Sequence, residues 1–247
     1  SPVGKLRSEL AWRNARAALP APGGDPPPLV LDAGCGPGRT TVRLLGAGYR
    51  VFACDPAAAM LEQARARVGR LAPVPASRAT LRHAGIDDLP ALLGDERCDA
   101  ILCHNVLEFV ADPGATVRTL ARLLRPGGII SLLTLNRWNE VLRVAAATGD
   151  PAAVLAAIER RALPETMTGG ARRLIDPEEV RAWLAAAGLE MVSRHGVRVL
   201  SDQLPAAGYD DLVAVELALA AQAPTELAYL GRQIQFIARG PDEATPS

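Results

Sequence analysis

The chain has 247 residues, 49% of them hydrophobic, enough to enclose one substantial α/β core and too few for two large ones. Its 27 Lys+Arg balance 27 Asp+Glu, so no global field draws it to nucleic acid or to an anionic membrane, and any basic surface must be local. Cys35, Cys54, Cys98 and Cys103 have no metal-ligand spacing and no apolar run reaches membrane-spanning length, so a reduced, cytoplasmic protein with no metal and no membrane partner is expected.

In chain order, a helix is predicted over 4–19, and PAPGGDPPP over 20–28 forms a linker because its prolines lack donors and fix φ. Strand-like runs follow: LVLDA at 29–33, RVFACD at 50–55, ATLRHA at 79–84, DAILCHN at 99–105 and IISLLTLN at 129–136. Helically spaced segments separate them, the βαβ alternation of a parallel sheet. Asp112 and Pro113 open one helix, with Val117, Leu120, Ala121 and Leu124 on one face and RPGG at 125–128 closing it. Asp176, Pro177, Glu178 and Glu179 open another, in which Val180, Trp183, Leu184 and Ala187 face the core.

Between 137 and 175 the alternation breaks. This stretch is too long for an ordinary connection and apolar enough to fold, and it reads as a lid over a ligand site. Beyond it lie strand-like runs at 189–200 and 232–239 with a helical stretch around 210–221 between them, an antiparallel finish to the sheet. One domain over 1–240 is expected, with a disordered tail over 241–247.

The segment LVLDAGCGPGRT at 29–40 carries the first functional signal: a strand, the acid Asp32, then Gly34, Gly36 and Gly38 at alternate positions. A dinucleotide fingerprint would read GxGxxG, but here Arg39 stands where its third glycine belongs, so NAD is disfavoured. The alternative is a nucleoside ligand without phosphate. Its ribose would be held by an acid ending the next strand, where Asp55 sits, and its adenine amino group by Asp87 or Asp88 after the third. Ligands of open α/β sheets lie at these carboxyl ends.

These segments resemble the class I S-adenosylmethionine-dependent methyltransferases: DAGCGPG is similar to their first motif, ACDPAAAM to their second, CHNVLEFVADP to their fourth and LLRPGGIISL to their fifth. Nearly the whole chain resembles the bacterial tRNA 5-carboxymethoxyuridine methyltransferase family, through GKLRSELAW, HNVLEFVADP, GVRV at 196–199, YDDLVAVELAL and YLGRQIQFIAR. The resemblance implies a Rossmann-like fold with a mostly parallel seven-stranded sheet, an antiparallel C-terminal strand and a helical lid. It also implies S-adenosyl-L-methionine as cofactor, with contacts from Arg7, Gly34, Cys35, Asp55, Ile86, Asp87 and His104, to which the glycine segment adds Asp32 and Gly36, and tRNA as acceptor.

A carboxylate acceptor needs no general base, because its reference pKa lies near 4. With only 4% aromatic residues the chain offers few base-stacking platforms, so a small anionic acceptor is the competing expectation and a non-catalytic S-adenosylmethionine sensor a third. Arg198 lies between Val197 and Val199, and strand alternation would turn its guanidinium to the face opposite theirs, where it can grip an anionic acceptor. Arg160, Arg161, Arg172 and Arg173 in the lid are the candidates for phosphate contacts. His83 reads as structural, and His195 can be either.

Overall fold

A computed structural model describes residues 2–164, 171–204, 207–222 and 224–242. Six residues of the expected lid, 165–170, and most of the expected tail, 243–247, lie outside the described residues. The elements run α1 (Pro2–Ala18), β1 (Leu29–Ala33), α2 (Arg39–Ala47), β2 (Arg50–Asp55), α3 (Ala58–Val68), α4 (Pro73–Ser77), β3 (Ala79–His83), α5 (Leu89–Leu93), β4 (Cys98–His104) and α6 (Pro113–Arg122). They continue with β5 (Leu124–Leu135), α7 (Arg137–Thr148), α8 (Pro151–Glu159), β6 (Ala162–Pro164), β7 (Ala171–Arg173), α9 (Pro177–Ala186), β8 (Glu190–Val197), α10 (Tyr209–Gln222) and β9 (Gln233–Arg239).

Seven strands form one sheet in the order β3-β2-β1-β4-β5-β9-β8, with β3 to β5 mutually parallel and β9 antiparallel to both its neighbours. The order reverses direction between β1 and β4, the switch point at which a crevice opens at the carboxyl ends of such sheets. Both faces of the sheet are covered. Leu31, Ile101, Ile130, Val117, Leu120, Val180 and Leu184 fill one side, and Val30, Leu44, Tyr49, Leu61, Leu102 and Ile237 the other. That two-sided burial is why the central strands read as continuous apolar runs rather than as alternating ones.

The helix starts obey their capping chemistry. Asp112 accepts from the Ala115 amide at 2.9 Å, and Asp176 and Glu179 form a reciprocal capping box ahead of α9. The RPGG segment does not directly close α6, which ends at Arg122, but lies in the first part of β5, where Gly127 has φ of 68° and the register with β4 shifts.

The 137–175 stretch folds as the helix pair α7 and α8 followed by the β6–β7 hairpin. Its base is fixed. Asn136 donates to the carbonyls of Tyr229 and Gly231, Asn139 to that of Leu230, and the buried Glu140 carboxylate accepts from Arg143 and from Arg232. Helix α7 is therefore bonded to the turn that precedes β9.

Strand β8 is shorter than the sequence implies. It ends at Val197, and Arg198 turns into the left-handed region with φ of 61°. The alternation expected for Arg198 therefore does not apply, because the chain leaves the sheet one residue earlier.

Candidate functional site

The register fixes the rim of the crevice. Ala33 pairs with Cys54 on one side and with Cys103 on the other, so the next residues, Gly34, Asp55 and His104, emerge side by side at the switch point. Gly34 has φ of 70°, and a Cβ there would stand 2.3 Å from Val106 Cγ2, so the turn after β1 must carry glycine to pass the loop after β4. Gly36 has φ of 53° and open space where a Cβ would point. Its amide donates to Asp55 Oδ2 at 2.8 Å, and the Ala57 amide donates to Asp55 Oδ1 at 2.8 Å. Two amides thus hold the carboxylate rigidly against the glycine turn, with lone pairs left on each oxygen.

Asp32 is buried and turned toward α2, accepting from Thr41 Oγ1 at 2.6 Å. Burial raises its pKa to about 6, with the Asp55 charge acting in the same direction and the Thr41 bond against it. Its evident task is to fix the entry into α2. Cys35 lies in the same turn, its amide bonded to the Cys54 carbonyl at 2.9 Å. Its thiol is nearly buried, and burial holds its pKa far above the ordinary value. All four cysteines are buried and unbridged.

After β3 a single 3-10 turn carries Ile86, Asp87 and Asp88. Asp88 is consumed by the turn, accepting from the Gly85 amide at 2.8 Å, while Asp87 is exposed and Ile86 buried. Between the two acids that the sequence left open, Asp87 has the free carboxylate.

His104, the last residue of β4, bonds through Nε2 to Ser131 Oγ at 2.8 Å. A chain of side chains sets the direction of that bond. Asn14 donates to Gln235 Oε1, and the Gln235 amide nitrogen donates to the Ala11 carbonyl and to Ser131 Oγ. The Ser131 hydroxyl proton then points at His104 Nε2, leaving Nδ1–H as the donor on the other side of the ring. Burial, with the nearby Arg7 charge adding to it, lowers the His104 pKa to about 4, so the imidazole is neutral at pH 7.

Arg7 is half-buried on α1 and has no hydrogen bond or ion pair among the described residues. Its pKa is lowered by burial first, then by the charge of Arg172; Glu108 opposes this and Arg198 adds to it. Three guanidiniums, from α1, from β7 and from the end of β8, therefore share one neighbourhood with the carboxylates of Glu108 and of Asp202, the ion-pair partner of Arg198. Glu108 is buried and accepts from the Leu135 amide at 2.6 Å and from Asn105 Nδ2 at 3.2 Å, with Arg172 Nη2 at 3.9 Å from the same oxygen. Its Oε2 and the Nε atoms of Arg172 and Arg198 are buried without a partner among the described residues. Arg198 pairs with Asp202, and its side chain is only 11% exposed, so it is not an ordinary surface arginine. Its left-handed backbone costs roughly 1–2 kcal/mol.

Of the four lid arginines, Arg172 faces inward to Glu108 and lies over the Phe109 ring, whereas Arg161 and Arg173 are exposed and Arg160 stands 4.0 Å from Glu140. His83 bonds to the Pro56 carbonyl and His195 to Ser193 on β8. Glu108 and Asp202 went unnoticed in the sequence. Glu108 sits inside the HNVLEFVADP motif among apolar residues, and an acid in that setting was its available signal. Among the described residues no group of three or more His, Cys, Asp or Glu side chains is placed to hold a metal ion, and no helix is long and apolar enough to cross a membrane.

Comparison with known proteins agrees with this architecture. A family model described as a methyltransferase domain matches residues 31–132. The tRNA 5-carboxymethoxyuridine methyltransferase of Escherichia coli is 33% identical over 244 residues, covering 96% of this chain and 89% of that protein. A ubiquinone biosynthesis O-methyltransferase of Xanthomonas campestris is also 33% identical, over 189 residues, covering 76% of this chain and 71% of its own. Among solved structures, an S-adenosylmethionine-dependent methyltransferase from Mesorhizobium loti superposes with a TM-score of 0.62 at 22% identity, covering 92% of this chain and 96% of that one. The CcbJ methyltransferase from Streptomyces caelestis gives 0.61 at 19%, covering 96% and 89%. At those identities the two structures bear on the fold alone. The sheet order, the matching domain model and two relatives aligned over most of their length lead to one conclusion: the chain belongs to the S-adenosylmethionine-dependent methyltransferases.

Proposed function

We propose that this methyltransferase acts on a carboxylate, and that its acceptor is 5-carboxymethoxyuridine at the wobble position of tRNA in the cytoplasm. The observation that carries this reading is the excess of positive charge at the mouth of the crevice. Arg7 lies within the influence of Arg172, Arg198 and the buried Glu108, and of these three guanidiniums Arg172 stands 3.9 Å from Glu108, Arg198 is paired with the more exposed Asp202 and Arg7 has no ion pair among the described residues.

S-adenosylmethionine supplies an electrophilic methyl group on a sulfonium. The open space at Gly36 and the amide-held Asp55 beside it fit its nucleoside, Asp87 its adenine amino group and the unpaired Arg7 its carboxylate. Gly34, Cys35, Ile86 and His104 are the further residues proposed for the same rim, and Asp32 supports it from within by fixing the entry into α2. Arg198 is left for the acceptor. A carboxylate enclosed there must be paired, since a buried unpaired charge is costly, and a planar guanidinium suits it.

The chemistry of the site supports a carboxylate over a hydroxyl acceptor. A hydroxyl would need a free base of near-neutral pKa, whereas His104 is held at about 4, Glu108 is enclosed and bonded to backbone and Asn105, and Asp32, raised to about 6, is buried against Thr41. An acceptor already ionised at pH 7 needs none. What the protein must supply is alignment, which is worth several powers of ten in a displacement of this kind. The Escherichia coli relative is named as a tRNA 5-carboxymethoxyuridine methyltransferase, and its 33% identity over 96% of this chain supports carrying that acceptor here.

The test uses methyl-labelled S-adenosylmethionine with two tRNA pools, one carrying 5-carboxymethoxyuridine and one lacking it. Label should enter only the first. Label entering a small-metabolite extract and neither tRNA pool would move the assignment to a small anionic acceptor.

A further inference from the structure

Glu216 is the one buried residue of the half-exposed α10, only 4% exposed. Its two oxygens take the three backbone amides that follow Arg198. Oε2 accepts from Val199 at 2.9 Å, and Oε1 accepts from Leu200 and from Ser201, each at 2.9 Å. The Arg198 carbonyl, in the same peptide unit as the Val199 amide, receives the Arg232 amide at 3.0 Å. The peptide after Arg198 is thus held through both its polar atoms, and Val197 before it is held in the sheet opposite Gln233. Ser201 also begins the short turn that carries Asp202, the ion-pair partner of the Arg198 guanidinium, so one carboxylate on α10 sets both the backbone and the counter-charge of Arg198.

We propose that Glu216 is a positioning residue for Arg198, aiming its guanidinium at the anionic acceptor; this rests on the acceptor reading given above. A segment needing only to pack would take an ordinary backbone conformation and an apolar partner at 216. Here a buried charge, a left-handed residue and a buried unpartnered Arg198 Nε are kept together, and such costs persist where aim matters. The inference also joins two sequence motifs that had no stated relation, GVRV at 196–199 and the YDDLVAVELAL helix.

A double-mutant cycle tests it, using the full chain, S-adenosylmethionine and tRNA bearing 5-carboxymethoxyuridine. Glu216→Gln should raise acceptor KM about tenfold while cofactor affinity, measured by calorimetry, changes less than twofold. Arg198→Ala should be more damaging, and adding Glu216→Gln to it should cost almost nothing further, because the carboxylate acts through that arginine. If Glu216→Gln yields no folded protein, Glu216→Asp, which keeps the charge one methylene short, replaces it in the cycle and should show partial rescue. Independent, multiplicative effects of the two substitutions, or equal loss of cofactor and acceptor binding in the Glu216 variant, would overturn the positioning role and leave the acceptor reading standing. An Arg198→Ala enzyme with unchanged acceptor KM would overturn both.

Discussion

Between Leu29 and Asp88 the rim of the crevice is made of consecutive turns, each within a few residues of the end of its strand, whereas the facing side draws Arg7, Glu108, Arg172 and Arg198 from four separate elements. The first side is built largely from backbone: glycine conformations, amides on Asp55, a capped 3-10 turn. The second is built from long charged side chains that meet only after folding. Binding a ligand shared by a whole family suits fixed backbone, and choosing an acceptor suits side chains that can be exchanged one at a time, with Arg7 alone of the second side proposed for the cofactor.

The largest expected effect falls on the side-chain half. Arg198→Ala should lower kcat/KM for the acceptor by a hundredfold or more, about 3 kcal/mol, since breaking a buried charge pair leaves one charge uncompensated. Arg198→Lys should recover part of this, keeping charge without the planar fork. Cofactor affinity should barely change in either, and steady-state kinetics beside calorimetry separates the two quantities. Coupled loss of both would erase the division between the halves.

On the backbone half, Gly34→Ala should destabilise the fold by about 2–4 kcal/mol, combining overpacking against Val106 with a left-handed alanine, read by denaturant unfolding. Gly36→Ala meets no neighbour and should cost the fold only about 1 kcal/mol while weakening the cofactor, whose space it enters. Asp55→Ala should weaken S-adenosylmethionine by about 1.5–3 kcal/mol, the range for hydrogen bonds to a charged group. Unchanged affinity in a folded Asp55→Ala protein would dissolve the pocket assignment.

His104 sits between the halves and gives a pH signature. Its folded pKa of about 4 lies below the ordinary 6.5, so between those values the unfolded chain binds the extra proton. The associated stability is present above pH 6.5 and is lost as pH falls toward 4, by about 3 kcal/mol in total. Asp32 acts with opposite sign: raised from 3.8 to about 6, it favours the folded state below 3.8, and that contribution is lost as pH rises through 6. Denaturation of His104→Asn across this range should therefore show a weaker acid limb than the wild-type chain. The same limb in both would mean that His104 is not held neutral by its surroundings.

How much could be read from the sequence follows the same division. The strands, the caps at Asp112 and Asp176, the glycine turn and Asp55 were legible because local periodicity and turn chemistry specify them within a few residues. The geometric reason that singled out Arg198 does not hold. Alternation assumed a strand through 200, while the three amides held by Glu216, eighteen residues downstream of Arg198, end it at Val197. The inward turn of Arg172 was equally hidden, since it depends on Glu108 in another loop. Contacts of that kind have no local signature.

The smallest effect concerns the outer surface. With Arg172 turned inward and Arg160, though exposed, 4.0 Å from Glu140, the exposed pair Arg161 and Arg173 is the lid pair proposed for tRNA phosphates. Replacing both with serine should reduce the slope of log affinity against log salt by about two, with little change in turnover at saturating tRNA. Filter binding at several salt concentrations measures it.

The central claim, that the acceptor group is a carboxylate, is tested most directly by the alkali lability of the transferred methyl. A methyl ester formed on a carboxylate is cleaved by mild base, and the label should leave the purified product quantitatively as volatile methanol. Label that stays on the acceptor through the same treatment would mark an ether or an N-methyl product and contradict the account.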